Sequence, residues 1–283
     1  MWFATDRSPR EPASRIEGGW TAILPGDLAT PGGPVSLELR VGGEDASGHA
    51  WSVASPGLTL LALHPALAAG TPDPAARGAE VSPAWRLPRG GAFESACVVA
   101  TAAGPAGAGG ELRPAGAEVA ILPASMPLRL PATLTFALPD SASSEHVAIF
   151  HHDGTEWDFT GRDYDPVTRR FTAQSRSLGP FALLEDTRGP AVTLRRVPRH
   201  ARRARYNRWA LESKLADAGS GVDPRATHFV VGGRARPSEW DGEVGTLRWR
   251  PVRRPARGSY DYEVVAVDRT GNLTRRRGTF VIN

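Results

Sequence analysis

The chain reads as all-β, with two, or at most three, β-sandwich domains in tandem. Three observations carry that reading. Glycine and proline are abundant, 31 and 25 residues, and they punctuate short apolar runs along the whole chain. Those runs alternate apolar and polar residues with period two, the signature of a half-buried strand. Long helical periodicity is nearly absent. With 283 residues and 41% hydrophobic content, the chain can fill two packed interiors.

The stretch Leu178-Gly-Pro-Phe-Ala-Leu-Leu-Glu-Asp-Thr-Arg-Gly-Pro190 divides the chain. Phe181 and Leu183 lie in one apolar run, and Asp186, Gly189 and Pro190 break it. Proline lacks a backbone N–H and glycine weakens a strand, so the pair marks the end of one sheet. Residues 1–18 are polar and charged and are expected to form a loose tail. Residues 19–187 form a first sandwich and 188–283 a second.

In the first domain, Gly19-Trp-Thr-Ala-Ile-Leu24 opens as a strand. Val35-Ser-Leu-Glu-Leu-Arg-Val41 alternates over seven residues and is closed by Gly42-Gly43. Trp51–Val53 and Leu58–Leu63 follow, then a long Ala/Pro/Gly loop over 66–80. Val81–Leu87 and Phe93–Val99 are strands about a Pro-Arg-Gly-Gly turn. Residues 102–117 read as a flexible excursion. Val119–Leu122, Ala132–Leu138 and His146–Phe150 are clear strands. Asp153-Gly154 is a strong hairpin signal, joining His146–His151 to Thr155–Phe159. Asp165-Pro166 turns the chain into Arg170–Gln174, and Ser177–Leu184 closes the domain.

The second domain spaces its strands evenly, at 191–197, Asn207–Leu215, Thr227–Val231, Leu247–Arg250, Ser259–Val267 and Gly278–Ile282. Trp209, Leu211 and Leu215 share one face with Ser213 between them. Tyr260, Tyr262, Val264 and Ala266 oppose Asp261, Glu263, Val265 and Val267, so the later part is apolar on both sides.

Composition removes several function classes. Net charge is +4, carried almost wholly by arginine, since Lys214 is the only lysine. The basic run Arg195–Arg205 reads as a solvated edge or an interdomain loop rather than a nucleic-acid face. No apolar run reaches the roughly 18 residues of a membrane span. Cys97 stands alone, so no intrachain disulfide is available. The N-terminus shows no signal pattern, which fits either a cytoplasmic chain or one that begins downstream of a signal.

No catalytic constellation emerges. Gly104–Gly110 lacks the Gly-Lys-Ser/Thr ending of a phosphate loop. No Gly-x-Ser-x-Gly elbow is present. The adjacent His151 and His152 point to opposite faces of a strand and do not share one ion. Asp153, Glu156, Asp158, Asp163 and Asp165 surround turns, where aspartate favours local backbone bonds. Two weaker signals remain. Asp217, Asp223 and Asp268 offer oxygens for calcium at one end of the second sandwich, near Asn272. Trp240 and Trp249, if exposed, offer flat platforms for a sugar ring.

The second half resembles a bacterial immunoglobulin-like domain. The resemblance rests on Asp217-Ala-Gly-Ser-Gly-Val-Asp223, Val231-Gly-Gly233, Trp240-Asp-Gly242, Gly258 and Ala266-Val-Asp-Arg-Thr-Gly-Asn272, in that order. More faintly, residues 80–187 resemble the β-sandwich tails of secreted bacterial proteins related to lysostaphin-type peptidases. The residues concerned are Val147–Phe150, Asp153-Gly-Thr-Glu-Trp157 and Leu178–Asp186. The peptidase itself would need a His-x-His pair, which is missing. Self-cleaving relatives of that sandwich need serine after phenylalanine, but Ala182 follows Phe181.

These resemblances imply a non-catalytic, cofactor-free accessory region of an exported bacterial protein. It would serve as spacer, adhesion or positioning module in an extracellular or periplasmic setting. Its partners would be cell-wall polysaccharide or another envelope protein. Two alternatives are a carbohydrate-binding module using exposed tryptophan and a hydrolase in the first domain.

Overall fold

The computed structural model describes residues 2–5, 8–12, 14–16, 19–21, 34–37, 39–54, 58–71, 83–102, 109–195, 210–253 and 255–282. Among them every regular element is a β-strand, and all pairings are antiparallel. The protein is all-β.

The largest sheet has seven strands. Their order is Trp157–Gly161, Val147–His152, Gly179–Asp186, Leu112–Leu122, Ala96–Ala102, Leu58–Leu63, Pro34–Leu37. A five-stranded sheet runs Asp163–Asp165, Arg170–Ser175, Ala132–Ala137, Ala84–Leu87, Ala69–Gly70. One apolar core joins the two. Trp85, Leu134, Phe136 and Phe171 come from the smaller sheet, and Ile121, Ile149, Phe181 and Leu183 from the larger. Each such side chain, fully buried, stabilises the fold by about 1.5–3 kcal/mol.

Gly179–Asp186 is the hub of the large sheet. Phe181 and Leu183 face the main core, while Ala182 and Leu184 pack on the opposite face with Leu112, Ala148 and Phe150. Burial on both faces explains why this strand is a continuous apolar run rather than an alternating one. Its last residue, Asp186, sits opposite Leu112, and its amide donates to the His146 carbonyl at 2.9 Å.

Beyond Pro190 the strands pair only with one another among the described residues. One four-stranded sheet runs Ala191–Leu194, Leu211–Ala216, Thr246–Trp249, Glu239–Asp241. The other runs Arg234–Arg236, His228–Val231, Gly258–Val267, Leu273–Ile282. Leu211, Phe229, Leu247, Val264 and Phe280 fill the space between them. Leu211, Ser213 and Leu215 share the buried face as their spacing requires, and Trp209 lies outside the described residues.

Several expectations are corrected. The region taken for a loose tail carries strands. Trp2–Thr5 pairs with Ser8–Pro12 and with Leu39–Glu44, whose other neighbour is Ala50–Ala54. Ser14–Ile16 pairs with Gly19–Thr21. Strands of three to five residues, one with two prolines, are too short for alternation to register. The run 35–41 splits, with Pro34–Leu37 in the seven-stranded sheet and Leu39–Glu44 in the N-terminal one.

The excursion expected over 102–117 contains the first half of the eleven-residue strand Leu112–Leu122. The register shifts between Pro114 and Glu118, and such a bulge accommodates Pro114 and Gly116. At Gly116 an added Cβ would come 2.9 Å from Leu183 Cδ2, so glycine is required by close packing. The loop expected over 66–80 contains the short strand Ala69–Gly70, and 72–82 lie outside the described residues. The short strands Arg234–Arg236 and Glu239–Asp241 had no periodic signal.

Candidate functional site

Three carboxylates converge where the two sets of sheets meet. Asp186 ends the hub strand, Asp217 follows Leu211–Ala216, and Asp268 follows Gly258–Val267. Each offers an oxygen, and the three oxygens lie within 4.8 Å of one another. Asp186 and Asp268 are buried, and Asp217 is half-buried.

Turn chemistry in two loops sets this placement. The Asp217 Oδ1 accepts the Gly221 amide at 2.7 Å, closing the loop Asp217–Gly221, and Gly221 takes φ 80°. That left-handed conformation favours glycine. In the second loop, Asp268 Oδ1 accepts the Thr270 amide, the Thr270 hydroxyl and the Asn272 amide at 2.8–2.9 Å. The loops are tied together by the Arg269 amide on the Gly221 carbonyl at 3.0 Å and by a bridge between Val222 and Asp268. The Asp-Ala-Gly-Ser-Gly-Val-Asp and Ala-Val-Asp-Arg-Thr-Gly-Asn motifs, which start 49 positions apart, are therefore one structural feature.

The same loops grip the strand that precedes Pro190. Asp186 Oδ2 accepts the Ser220 amide at 2.7 Å, and Asn272 Nδ2 donates to the Asp186 carbonyl at 2.9 Å. His146 Nδ1 lies 3.3 Å from the Thr270 carbonyl, and the Arg269 guanidinium sits over the Phe159 ring. Gly219 permits the closest approach, since a Cβ there would lie 2.3 Å from Asp186 Oδ2.

The electrostatics are strained. Burial pushes the Asp217 carboxyl up to about 6; the Gly221 hydrogen bond opposes this, and the charges of Asp186, Asp268 and Glu111 add to it. Among the described residues none of the three carboxylates is in an ion pair. Asp217 Oδ2 and Asp268 Oδ2 are buried with no hydrogen-bond partner among the described residues, and so is the Ser220 hydroxyl.

Of the calcium candidates, the structure brings Asp217 and Asp268 together and leaves Asp223 apart. The Asp223 carboxylate accepts the Arg225 amide at 2.8 Å, a turn-making role. Sequence reasoning missed Asp186 as a site residue. Its only signal was its position just before the Gly-Pro break.

The platform expected at Trp249 is corrected. Trp249 is 7% exposed, packed in the second core with the Arg236 guanidinium 5.9 Å from its ring, so it has no free face for sugar. Trp240 is half-buried against the same core. Trp249 is covered because the facing sheet brings Phe280 against its ring, 6.5 Å between centroids.

Elsewhere the polar residues are engaged locally. His151 Nε2 meets the Leu178 carbonyl at 2.9 Å, while the His152 ring accepts the Gly154 amide. Asp153 Oδ1 takes the Thr155 and Glu156 amides and the Thr155 hydroxyl, and these bonds hold its carboxyl down to about 2. Asp165 accepts from Val167 and Thr168. Of the basic run 195–205, residues 196–205 lie outside the described residues. A shallow groove on the second unit is lined by Val230, Asp261, Tyr262 and Glu263. Glu263 there is paired with Arg275 and Arg277.

Compared with known proteins, the chain matches no family model and no curated protein.

Proposed function

We propose that this chain is a non-catalytic accessory region of an exported bacterial protein. Two β-sandwich domains in tandem, the second Ig-like, hold a fixed relative orientation and act as a spacer or positioning module at the cell envelope. One observation carries the reading, the joint itself. Among the described residues the chain passes between the two sets of sheets through Thr187–Pro190, and side-chain and backbone bonds cross that short link in parallel. A flexible tether would instead be long and rich in glycine and serine. Asp217 Oδ1 and Asp268 Oδ1 hold turns of the two loop motifs, and the Asn272 side chain ties into this joint.

Small-angle scattering and backbone relaxation of the full chain test the proposal. The expected result is one rigid particle with a single tumbling time. Two independently tumbling halves would reject the spacer role. Turnover of peptidoglycan, lost on a single substitution, would reject the non-catalytic reading.

A further inference from the structure

We propose that Asp186, Asp217 and Asp268 form a calcium site that clamps the joint between the two sets of sheets. The geometry suits a single ion. Calcium takes oxygen ligands at about 2.4 Å, so two ligands on opposite sides of it stand about 4.8 Å apart. The three carboxylate oxygens all fall within 4.8 Å of one another. All three are hard carboxylate donors, with neither imidazole nor thiolate in the cluster, which favours calcium over zinc or copper.

Two buried, unpartnered oxygens point to a ligand beyond the acid count. Asp268 is 1% exposed, yet its Oδ2 has no hydrogen-bond partner among the described residues. Its Oδ1, by contrast, receives three donors from its own loop. The loop thus fixes the carboxylate through one oxygen and leaves the other without a donor. Asp217 repeats the pattern, with Oδ1 used by Gly221 and Oδ2 buried without a partner. A buried carboxylate oxygen that meets no donor is costly unless a cation faces it. No arginine or lysine among the described residues supplies that charge.

Each ligand comes from a different part of the chain. Asp186 belongs to the seven-stranded sheet, and Asp217 and Asp268 to two loops of the C-terminal sheets. An ion bound there contacts both sides of the joint, so binding and stiffening are coupled. The site stands whether or not the module is a spacer.

The test uses the full chain, stripped with EDTA and returned to chelator-free buffer at neutral pH. Calcium chloride is titrated by calorimetry and by thermal melting, with magnesium chloride in parallel. One calcium per chain is expected, with half-saturation near 0.1–1 mM, the range of extracellular modules. The melting midpoint should rise with calcium, return with EDTA, and respond less to magnesium. Asp268→Asn and Asp217→Asn should each weaken calcium binding at least about tenfold.

Asp217→Asn is the decisive variant, because an amide oxygen can still accept from Gly221. In EDTA it should melt at or above the parent, since one of three crowded charges is gone, and it should lose the calcium response. Asp223→Asn should bind like the parent. No heat and no shift up to about 10 mM calcium, ten times the weak end of that range, would overturn the site. So would calcium binding unchanged in Asp217→Asn. Either failure leaves the scattering result untouched, so the spacer reading is judged separately.

Discussion

Replacing Gly219 with alanine tests the joint most directly. The new Cβ would lie 2.3 Å from Asp186 Oδ2 and 2.4 Å from its Cγ and Oδ1. Ordinary contact begins near 3.5 Å, so roughly 1 Å must be found. Asp186 has no easy retreat, being fully buried with Oδ2 held by the Ser220 amide at 2.7 Å. Breaking that charged hydrogen bond costs about 1.5–3 kcal/mol. Alanine returns about 0.4–1 kcal/mol by restricting the unfolded chain. The net expectation is a loss of about 0.5–2.5 kcal/mol, or roughly 1–4 °C in melting temperature for a chain of this size.

Scanning calorimetry in EDTA reads the total, and hydrogen exchange of the Ser220 amide reads the contact itself. Gly242→Ala is the matched control. Its Cβ would meet only Trp240 Nε1 at 3.5 Å, an ordinary contact, so stability should change by less than about 0.5 kcal/mol. If Gly219→Ala melts like the parent and the Ser220 amide keeps its protection, the approach of this loop to Asp186 is refuted.

Three further outcomes are expected. Asp153 titrates in the folded protein near 2, against an ordinary 3.8, because the Glu156 and Thr155 amides and the Thr155 hydroxyl donate to it. Its contribution to stability is therefore present above about pH 4 and fades as pH falls through 2, and a carboxyl NMR titration with a midpoint near 3.8 would contradict the hairpin geometry. Gly278→Ala places a Cβ 2.7 Å from the buried Tyr262 ring and should cost about 1–3 kcal/mol in chemical denaturation; a neutral result would deny that the ring lies across Gly278. Trp249→Ala should cost about 3–5 kcal/mol as a core deletion, and a variant that stayed stable yet lost retention on insoluble glycan would restore the sugar platform.

The strand interiors were legible because their signal is local. Ala132–Ala137 alternates buried and half-buried residues as the sequence pattern says, and the same holds for Leu211–Leu215. The Asp153-Gly154 turn was equally readable, since aspartate bonds its own neighbours. Strands too short or too rich in proline and glycine were not, as Ser8–Pro12 and the bulged Leu112–Leu122 show. Tryptophan exposure was unreadable at Trp249, because alternation places a ring on a face without saying which sheet covers it.

The amino-acid order by itself determined the all-β class, most strand positions and the two turn motifs that carry Asp217 and Asp268. Those properties depend on contacts between near neighbours, through period-two burial and Asx turns. Only tertiary structure decided that Asp186 joins them and Asp223 does not. Bringing Asp186 to Ser220 spans 34 positions, and bringing it to Asn272 spans 86. No local propensity reports on such distances; packing of one set of sheets against the other does.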